Sequence, residues 1–497
     1  MRWSACAERL LSNSHALTMF KTIHFYALIG LLLGSRLMSM AFFPFMGTSE
    51  PRYAEIARLM LLTNDWITPW FSPDVPFWGK PPFSFWAQAL SFKLLGINEF
   101  AVRLPSWLAT LISVGLIYKW ASTQFGDRVG QVSALIFGSC TLVFVGSGAV
   151  ITDPYFALAT TWAMVSYAMA QSNPHWVWRY GFFAALALGL LTKGPLVGVL
   201  VAGPLLAGLI WLKQTRHGFR AMPWFRGFIL MLLLSLPWYI LAELKTPGFL
   251  NYFLVGEHFY RFVDPGWSGD LYGSAHREPK GRVWIDLLTA ALPWSLVALA
   301  VLLRKLSHHC GHKRILRNLR DPVQLYLISW ALFTPLFFTF SGNILWTYVL
   351  PALPAFSILL ALALNATIER NGYLRRAMMA LIVAAPLACT IYFGIGALQP
   401  MTLKTEKYLV AQALAQMKPQ DQLAYLGPIP FSATFYSKGR VRSIDMHSLK
   451  QKPDNYVLYL AIEKNAWVTL KEQFAAQIQP IAQSNHYVLI KVEPSMK

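Results

Sequence analysis

Long apolar runs separated by short polar stretches organise most of this chain. Runs that reach or approach the roughly 20 residues a helix needs to cross a bilayer fall at 24–43, 106–122, 131–149, 155–171, 180–193, 195–212, 227–243, 283–303, 322–341, 344–364 and 377–396. They predict a polytopic α-helical bundle of about 11 membrane helices, or about 11–13 if Gly/Pro-broken stretches hide more. The first run is too long and too poorly flanked for a cleaved signal peptide. Residues 1–23 form an N-terminal segment on the cytoplasmic side, in which Met19 is as plausible a start as Met1. Beyond 396 the pattern changes. Residues 421–426, 455–461 and 486–491 read as strands and 464–477 as a helix. The expected organisation is a membrane domain over 24–396 and a small soluble α/β domain over 397–497.

Charge orients the bundle. With the N-terminus inside, the short inside loops hold Lys119 and Arg128, Arg179, and the basic stretches 213–226, 304–320 and 370–376. Lys/Arg excess on one side is the topology signal of membrane proteins. The first loop, 44–105, a second of medium length, about 244–282, and the C-terminal domain then face outside. Composition agrees: 55% of the 497 residues are apolar and 13% charged, and mean hydropathy is +0.42. A soluble enzyme carries about 25% charged residues. The net charge of +20 would elsewhere raise nucleic acid as a partner. Here the basic residues sit between apolar runs, which points to topology and anionic lipid instead. The four isolated cysteines show neither zinc spacing nor a disulfide framework.

Candidate chemistry collects on the outside. The first loop opens with Thr48-Ser49-Glu50-Pro51-Arg52-Tyr53 and continues as an amphipathic helix expected at the membrane interface with its charges solvated. Glu50 follows a membrane exit directly, where a carboxylate can reach headgroup-level chemistry. Lys80 stands among aromatics before the stiff Pro81-Pro82 pair, as a phosphate ligand or a snorkelling lysine. Asp153, at an outside helix end before Pro154, reads as a functional acid or a helix N-cap. Lys193 lies in a tight outside turn. Glu257, His258 and Arg261 fall within five residues, a possible exposed ion pair with an imidazole between. Asn343 and Tyr348 mark a further outside turn. Carboxylates and cations beside apolar grooves suit a substrate with an anionic head and a lipid tail. No Walker A, Rossmann or HExxH pattern is present.

The run from Glu50 to Arg58, with Gly79-Lys80-Pro81-Pro82, the stretch Asn98 to Ser106, Thr152-Asp153-Pro154 and Leu191-Thr192-Lys193-Gly194-Pro195, closely resembles the bacterial aminoarabinose transferase family. That family is related to the protein O-mannosyltransferases and has the GT-C glycosyltransferase fold. The likeness covers about residues 24–365. It implies an enzyme of the bacterial inner membrane whose active site faces the periplasm. It implies a sugar donor linked to polyprenyl (undecaprenyl) phosphate, and lipid A or another envelope lipid, glycan or protein as acceptor, with no nucleic acid. On this resemblance Glu50 and Asp153 are the expected catalytic carboxylates. Arg52, Lys80, Lys193 and Arg261 are the expected ligands of the donor phosphate, and Tyr53, His258 and Tyr348 the expected substrate contacts. Three departures stand out. Ser49-Glu50 replaces an Asp-Glu pair, Gly79 replaces an acid linked to metal binding, and a lysine common near Asn343 is absent. A divalent cation at Gly79 and His258 is thereby put in question, and the chain reads as a divergent branch. Inversion at C1 is the expected course. A flippase or transporter of lipid-linked sugars, a protein O-mannosyltransferase and a non-catalytic assembly subunit are the alternatives.

Overall fold

A computed structural model describes residues 22–211, 219–273, 277–307, 321–370, 372–399, 403–446, 456–473 and 480–493. Both candidate starts, most of the basic loop 304–320 and part of 213–226 lie outside the described residues. Each of the eleven apolar runs forms a helix or a helix pair. These are α1 (Thr22–Phe42), then, after the first loop with its helices α2 (Ser49–Thr63) and α3 (Phe83–Leu95), α4 (Glu99–Phe125), α5 (Asp127–Ser139) with α6 (Thr141–Gly146), α7 (Asp153–Ser172), α8 (Trp176–Lys193), α9 (Leu196–Trp211) and α10 (Trp224–Lys245). After a π-helix (Asn251–Tyr260) and the short α11 (Arg261–Val263) come α12 (Arg282–Ala290) with α13 (Trp294–Ser307), and α14 (Pro322–Phe338). A 3-10 turn (Trp346–Ala352) leads into α15 (Leu353–Arg370), and α16 (Gly372–Leu398) follows.

Not every run is a straight span. Among the described residues five helices are long and apolar enough to cross a membrane alone, and the pair α12/α13, bent by 105°, is a candidate sixth. That bend falls at Pro293, whose missing N–H interrupts the helical ladder. The run 131–149 breaks at Cys140 into α5 and α6. Helices α7 and α8 pack tightly against each other and against α4 and α10, so that nearly every residue of α7 is buried in protein.

The first outside loop does not lie free at an interface. Helix α2 is packed between α3 and the C-terminal domain, and its Glu55 and Arg58 are buried. They form a two-point pair, Nε to Oε2 at 2.7 Å and Nη2 to Oε1 at 2.6 Å. The expectation of solvated charges is therefore corrected: these two pair with each other inside the loop. A hairpin of β1 (Trp70–Ser72) and β2 (Val75–Pro76) carries the chain from α2 to Lys80.

The C-terminal region is a five-stranded mixed sheet, order β4-β3-β5-β7-β6, formed by β3 (Gln422–Leu426), β4 (Val441–Ile444), β5 (Leu458–Glu463), β6 (Pro480–Gln483) and β7 (Tyr487–Val492). Strand β3 runs parallel to β4 and β5, and β7 antiparallel to β5 and β6. Side chains alternate across it as pleating requires. Leu423, Tyr425, Tyr459 and Leu489 pack on one face with α17 (Lys407–Gln416) and α18 (Phe431–Tyr436). Leu458, Leu460, Ile462 and Ile490 pack on the other with α19 (Lys464–Gln473). Sequence patterning missed β4 and β6, both short edge strands. The exposed Arg442 and Ser443 and the leading Pro480 give them no alternating apolar signal.

This sheet domain is fastened to the first loop. Tyr436 accepts from the Phe45 amide at 2.8 Å and donates to Glu99 at 3.1 Å, while Lys407 donates to Glu99 at 2.6 Å. Inside the domain Glu406 is buried, taking hydrogen bonds from the hydroxyls of Ser484 (3.1 Å) and Tyr425 (3.3 Å). Burial raises its pKa from 4.5 to about 7, against the pull of those two bonds. The folded state thus favours the protonated acid, so this contribution to stability is complete below pH 4.5 and is lost as pH rises through 7. Hydrogen exchange protection of β5 and β7 is expected to fall between about pH 5 and 7.5, and Glu406→Gln to flatten that fall.

Candidate functional site

Five segments meet at one cavity of about 220 Å³. Its polar lining is Lys80, Lys193, Glu257, His258, Arg261, Ser341, Asn343 and Tyr348, and its apolar lining includes Leu196, Val199, Phe337 and Phe338. Val199 is 40% exposed on the flank of the bundle, so the apolar side opens outward between α9 and α14. An anionic head with a hydrocarbon tail matches that division.

Glu257 organises the charges. It sits on the π-helix, whose wider turn places Glu257, His258 and the following Arg261 along the cavity wall. Its carboxylate accepts from Lys80 Nζ at 3.2 Å, from Arg261 Nη1 at 3.0 and 3.1 Å and from the Tyr252 hydroxyl at 3.3 Å. Asp270 adds a second contact to Arg261 at 3.4 Å. Burial works against each charge, but the pairing wins. Lys80 and Arg261 hold their protons more tightly than usual beside Glu257, and Glu257 is held below its ordinary 4.5 by Lys80 and Arg261. The pair Glu257–Arg261 is therefore no exposed helical couple, since the Glu257 side chain is 4% exposed.

Lys193 reaches the same cavity from the end of α8. Its ammonium binds Asp153 at 2.7 Å and lies over the rings of Phe156 and Tyr348, 5.4 and 5.0 Å from their centroids. Asp153 is not the N-cap of α7. Thr152 holds that position, Asp153 begins the helix, and its carboxylate is spent on Lys193 rather than on backbone amides. Gly194, at φ +70°, lets the turn pass so close to Phe253 that a Cβ there would come within 2.7 Å of the ring. His258 lines the cavity, but its nitrogens face backbone carbonyls, Nδ1 that of Phe253 at 2.8 Å and Nε2 that of Lys193 at 3.0 Å. Burial lowers its pKa against those two contacts.

The remaining expected residues stand apart from the cavity wall. Glu50 accepts from Arg103 Nε (3.1 Å) and Nη2 (2.9 Å) and from the amides of Val150 and Met46. Its carboxylate closes the outer end of the bundle. Arg52 donates to the Tyr272 carbonyl at 2.7 Å and lies over the rings of Tyr53 and Phe431. Tyr53 packs against Phe77 and Phe85, near enough to Lys80 to act on its charge. A larger groove, about 720 Å³, lies around Asp65, Trp70 and Lys245. Its Asp65 is already taken by four donors, the amides of Ile67 and Thr68, the Trp70 indole and Lys245.

Gly79 and His258 offer no donor set for a divalent cation. Gly79 supplies no ligand, and a Cβ there would lie 2.9 Å from the Phe77 ring. His258 has both nitrogens turned to carbonyls, and no group of three or more His, Cys, Asp or Glu suited to a metal occurs among the described residues.

Apolar helices enclosing a charged outside cavity, with an α/β domain clamped on the first loop, define a polytopic membrane protein of the GT-C architecture. The comparisons with known proteins agree. Residues 79–240 match the family model described as dolichyl-phosphate-mannose-protein mannosyltransferase. The chain is 32% identical over 319 residues to the undecaprenyl phosphate-alpha-4-amino-4-deoxy-L-arabinose arabinosyl transferase of Yersinia pestis (strain Pestoides F), covering 63% of this chain and 54% of that one. It is 31% identical over 316 residues to the corresponding transferase 1 of Pseudomonas fluorescens (strain Pf0-1), covering 63% and 52%. The chain thus spans about half the length of the curated relatives it matches. The crystal structure of ArnT from Cupriavidus metallidurans bound to undecaprenyl phosphate superposes with a TM-score of 0.75 at 18% identity, covering 96% of this chain and 100% of that one. The resemblance read from the motifs therefore holds in sequence and in fold.

Two outcomes follow from this geometry. Glu257→Gln leaves Lys80 without its counter-charge and Arg261 with Asp270 alone, and is expected to cost about 3 kcal/mol of stability, read as a lower unfolding temperature. Dialysis against a chelator is expected to leave binding of a lipid phosphate within about two-fold, because among the described residues no group of metal donors borders Lys80 and Arg261.

Proposed function

We propose that this chain is an inverting glycosyltransferase of the bacterial inner membrane. It moves a sugar from a polyprenyl-phosphate donor to lipid A or a related envelope acceptor on the periplasmic face. The observation that carries this reading is the pre-paired cation couple, Lys80 and Arg261, beside an apolar slot that opens on the flank of the bundle. The donor phosphate binds at the N–H groups that Glu257 leaves free, with Lys193 nearby, and the isoprenoid lies against Leu196, Val199 and Phe337. The C1–O bond to phosphate breaks, and the electron pair stays on the carrier phosphate. Fixed cations in a water-poor site stabilise that growing charge without reorganising.

The acceptor follows from the carboxylates. Glu257 is held below its ordinary pKa by two cations, and the carboxylates of Asp153 and Glu50 are engaged by Lys193 and Arg103. An acceptor oxygen that is already anionic, such as a lipid A phosphate, needs no base and attacks C1 opposite the leaving group. Glu50 and Asp153 then act by holding the site's shape. The same fold supports the division into a catalytic bundle and a periplasmic α/β domain.

The test is mass spectrometry of lipid A from cells with and without the gene. A sugar-sized mass is expected to disappear with the gene and to return with the wild type. Lys80→Ala, which removes a donor aimed at the leaving phosphate, is expected to return about 1% of it or less. An unchanged spectrum on deletion would remove lipid A as the acceptor.

A further inference from the structure

We propose that Tyr272, in the second outside loop, is a positioning residue that sets the spacing of Lys80 and Arg261 about the leaving phosphate. This rests on the reading of the cavity as the site of a lipid-phosphate donor.

The turn that carries Lys80 has few hydrogen-bonding groups of its own. Pro76, Pro81 and Pro82 lack an N–H, and the hairpin leading into the turn is irregular in register. A stiff turn of this kind is placed by whatever holds its remaining polar groups. Two of these go to one side chain. The Tyr272 hydroxyl accepts from the Trp78 amide at 2.9 Å and donates to the Pro76 carbonyl at 2.7 Å. Burial pushes the phenol up to about 12, so it keeps the proton it donates. Its ring is anchored separately, against Phe77 and Phe71, with centroids 4.7 and 5.2 Å away.

The backbone beside that ring reaches the other charges. The Tyr272 amide donates to Asp270 Oδ1 at 3.0 Å, and Asp270 Oδ2 lies 3.4 Å from Arg261 Nη1. The Leu271 amide donates at 3.2 Å to the Tyr252 hydroxyl, which donates to Glu257. The Tyr272 carbonyl accepts from Arg52 at 2.7 Å, which ties the loop to α2. Three consecutive residues thus hold Arg261, Glu257 and the turn bearing Lys80. Glu257 attracts both cations, but the flexible lysine stem lets the ammonium sit wherever its backbone allows. Tyr272 fixes that backbone relative to Arg261.

Spacing matters most as the bond breaks. The donor is a phosphodiester with one negative charge, which a single cation balances. Cleavage of C1–O leaves a second charge on the phosphate, which calls on both cations at once. An interaction realised only as that charge develops acts on kcat rather than on KM, and a displacement of about 1 Å costs up to about a hundred-fold.

The experiment uses the full chain in lipid nanodiscs at pH 8 with two sugar-free probes. Decaprenyl methyl phosphate carries one charge, as the donor does. Decaprenyl phosphate carries close to two, as the leaving group does. The wild type is expected to bind the second about ten-fold tighter. Tyr272→Phe keeps the ring and removes both hydroxyl bonds. It is expected to bring that ratio below about two-fold, with the methyl ester's affinity held within about two-fold. A merely structural role would lower the unfolding temperature and leave the ratio unchanged. In the wild type, independently of how any variant folds, the Trp78 amide is expected to exchange with deuterium about a hundred-fold slower than an exposed amide. The proposal is overturned if the ratio survives in Tyr272→Phe, if the wild type binds both probes alike, or if its Trp78 amide exchanges as fast as an exposed one. Binding of neither probe would remove the lipid-phosphate reading and this one with it. A ten-fold ratio untouched by Tyr272→Phe would remove this one alone.

Discussion

One guanidinium closes the outer end of the bundle. Arg103, 3% exposed, donates to the carbonyls of Met40, Phe43 and Pro44 at the end of α1 and to both oxygens of Glu50 at the start of α2. Glu50 in turn takes the amide of Val150, just before α7. A helix end buried in protein leaves carbonyls without partners, and a buried cation needs a counter-charge and a full set of acceptors. Arg103 and Glu50 answer both demands at once. Through them α1, α2, α4 and the turn before Asp153 share one joint, and the first loop springs from it toward Lys80.

The cavity is built on the same logic with a different outcome. There, too, carboxylates hold cations in place: Glu257 holds Lys80 and Arg261, and Asp153 holds Lys193. Around Arg103 every donor is consumed internally. Lys80 and Arg261, by contrast, line the cavity and share one carboxylate, Glu257, between them. That difference separates a structural ion pair from a binding site, and it depends on geometry that no list of residue types contains.

The bundle was largely legible because burying an apolar helix leaves a long, unambiguous run. Every such run became a helix or a helix pair. The breaks were less legible. Cys140 interrupts one run two residues after Gly138, in a stretch whose apolar character continues across the break. The resemblance pointed to Lys80, Lys193, His258, Arg261 and Tyr348, and they do line one cavity. Glu257 was visible only as the partner of Arg261 one turn away. Its burial depends on a π-helix, whose extra residue per turn leaves no period in so short a segment. The pairing of Glu50 was not legible for a similar reason: its partner Arg103 lies 53 positions away, beyond any local pattern. Asn343 was legible as a turn, and its orientation only from the carbonyls of Arg261 and Asp264 that it faces.

The fastening of the sheet domain to the first loop sets the order in which the molecule can be completed. Phe45 and Tyr436 meet across 391 positions of chain, and strand β7 lies inside the sheet between β5 and β6. When the first loop is made, its docking partner does not yet exist, and the sheet that carries that partner cannot close until residues 487–492 arrive. Contacts of such long separation form late, after the intervening chain has been ordered. The loop that bears Lys80 must therefore wait outside the membrane, unsupported on one side, while ten further apolar elements are inserted behind it. Completion of the site is coupled to completion of the chain, and a ribosome that stops early leaves a bundle with an unclamped loop.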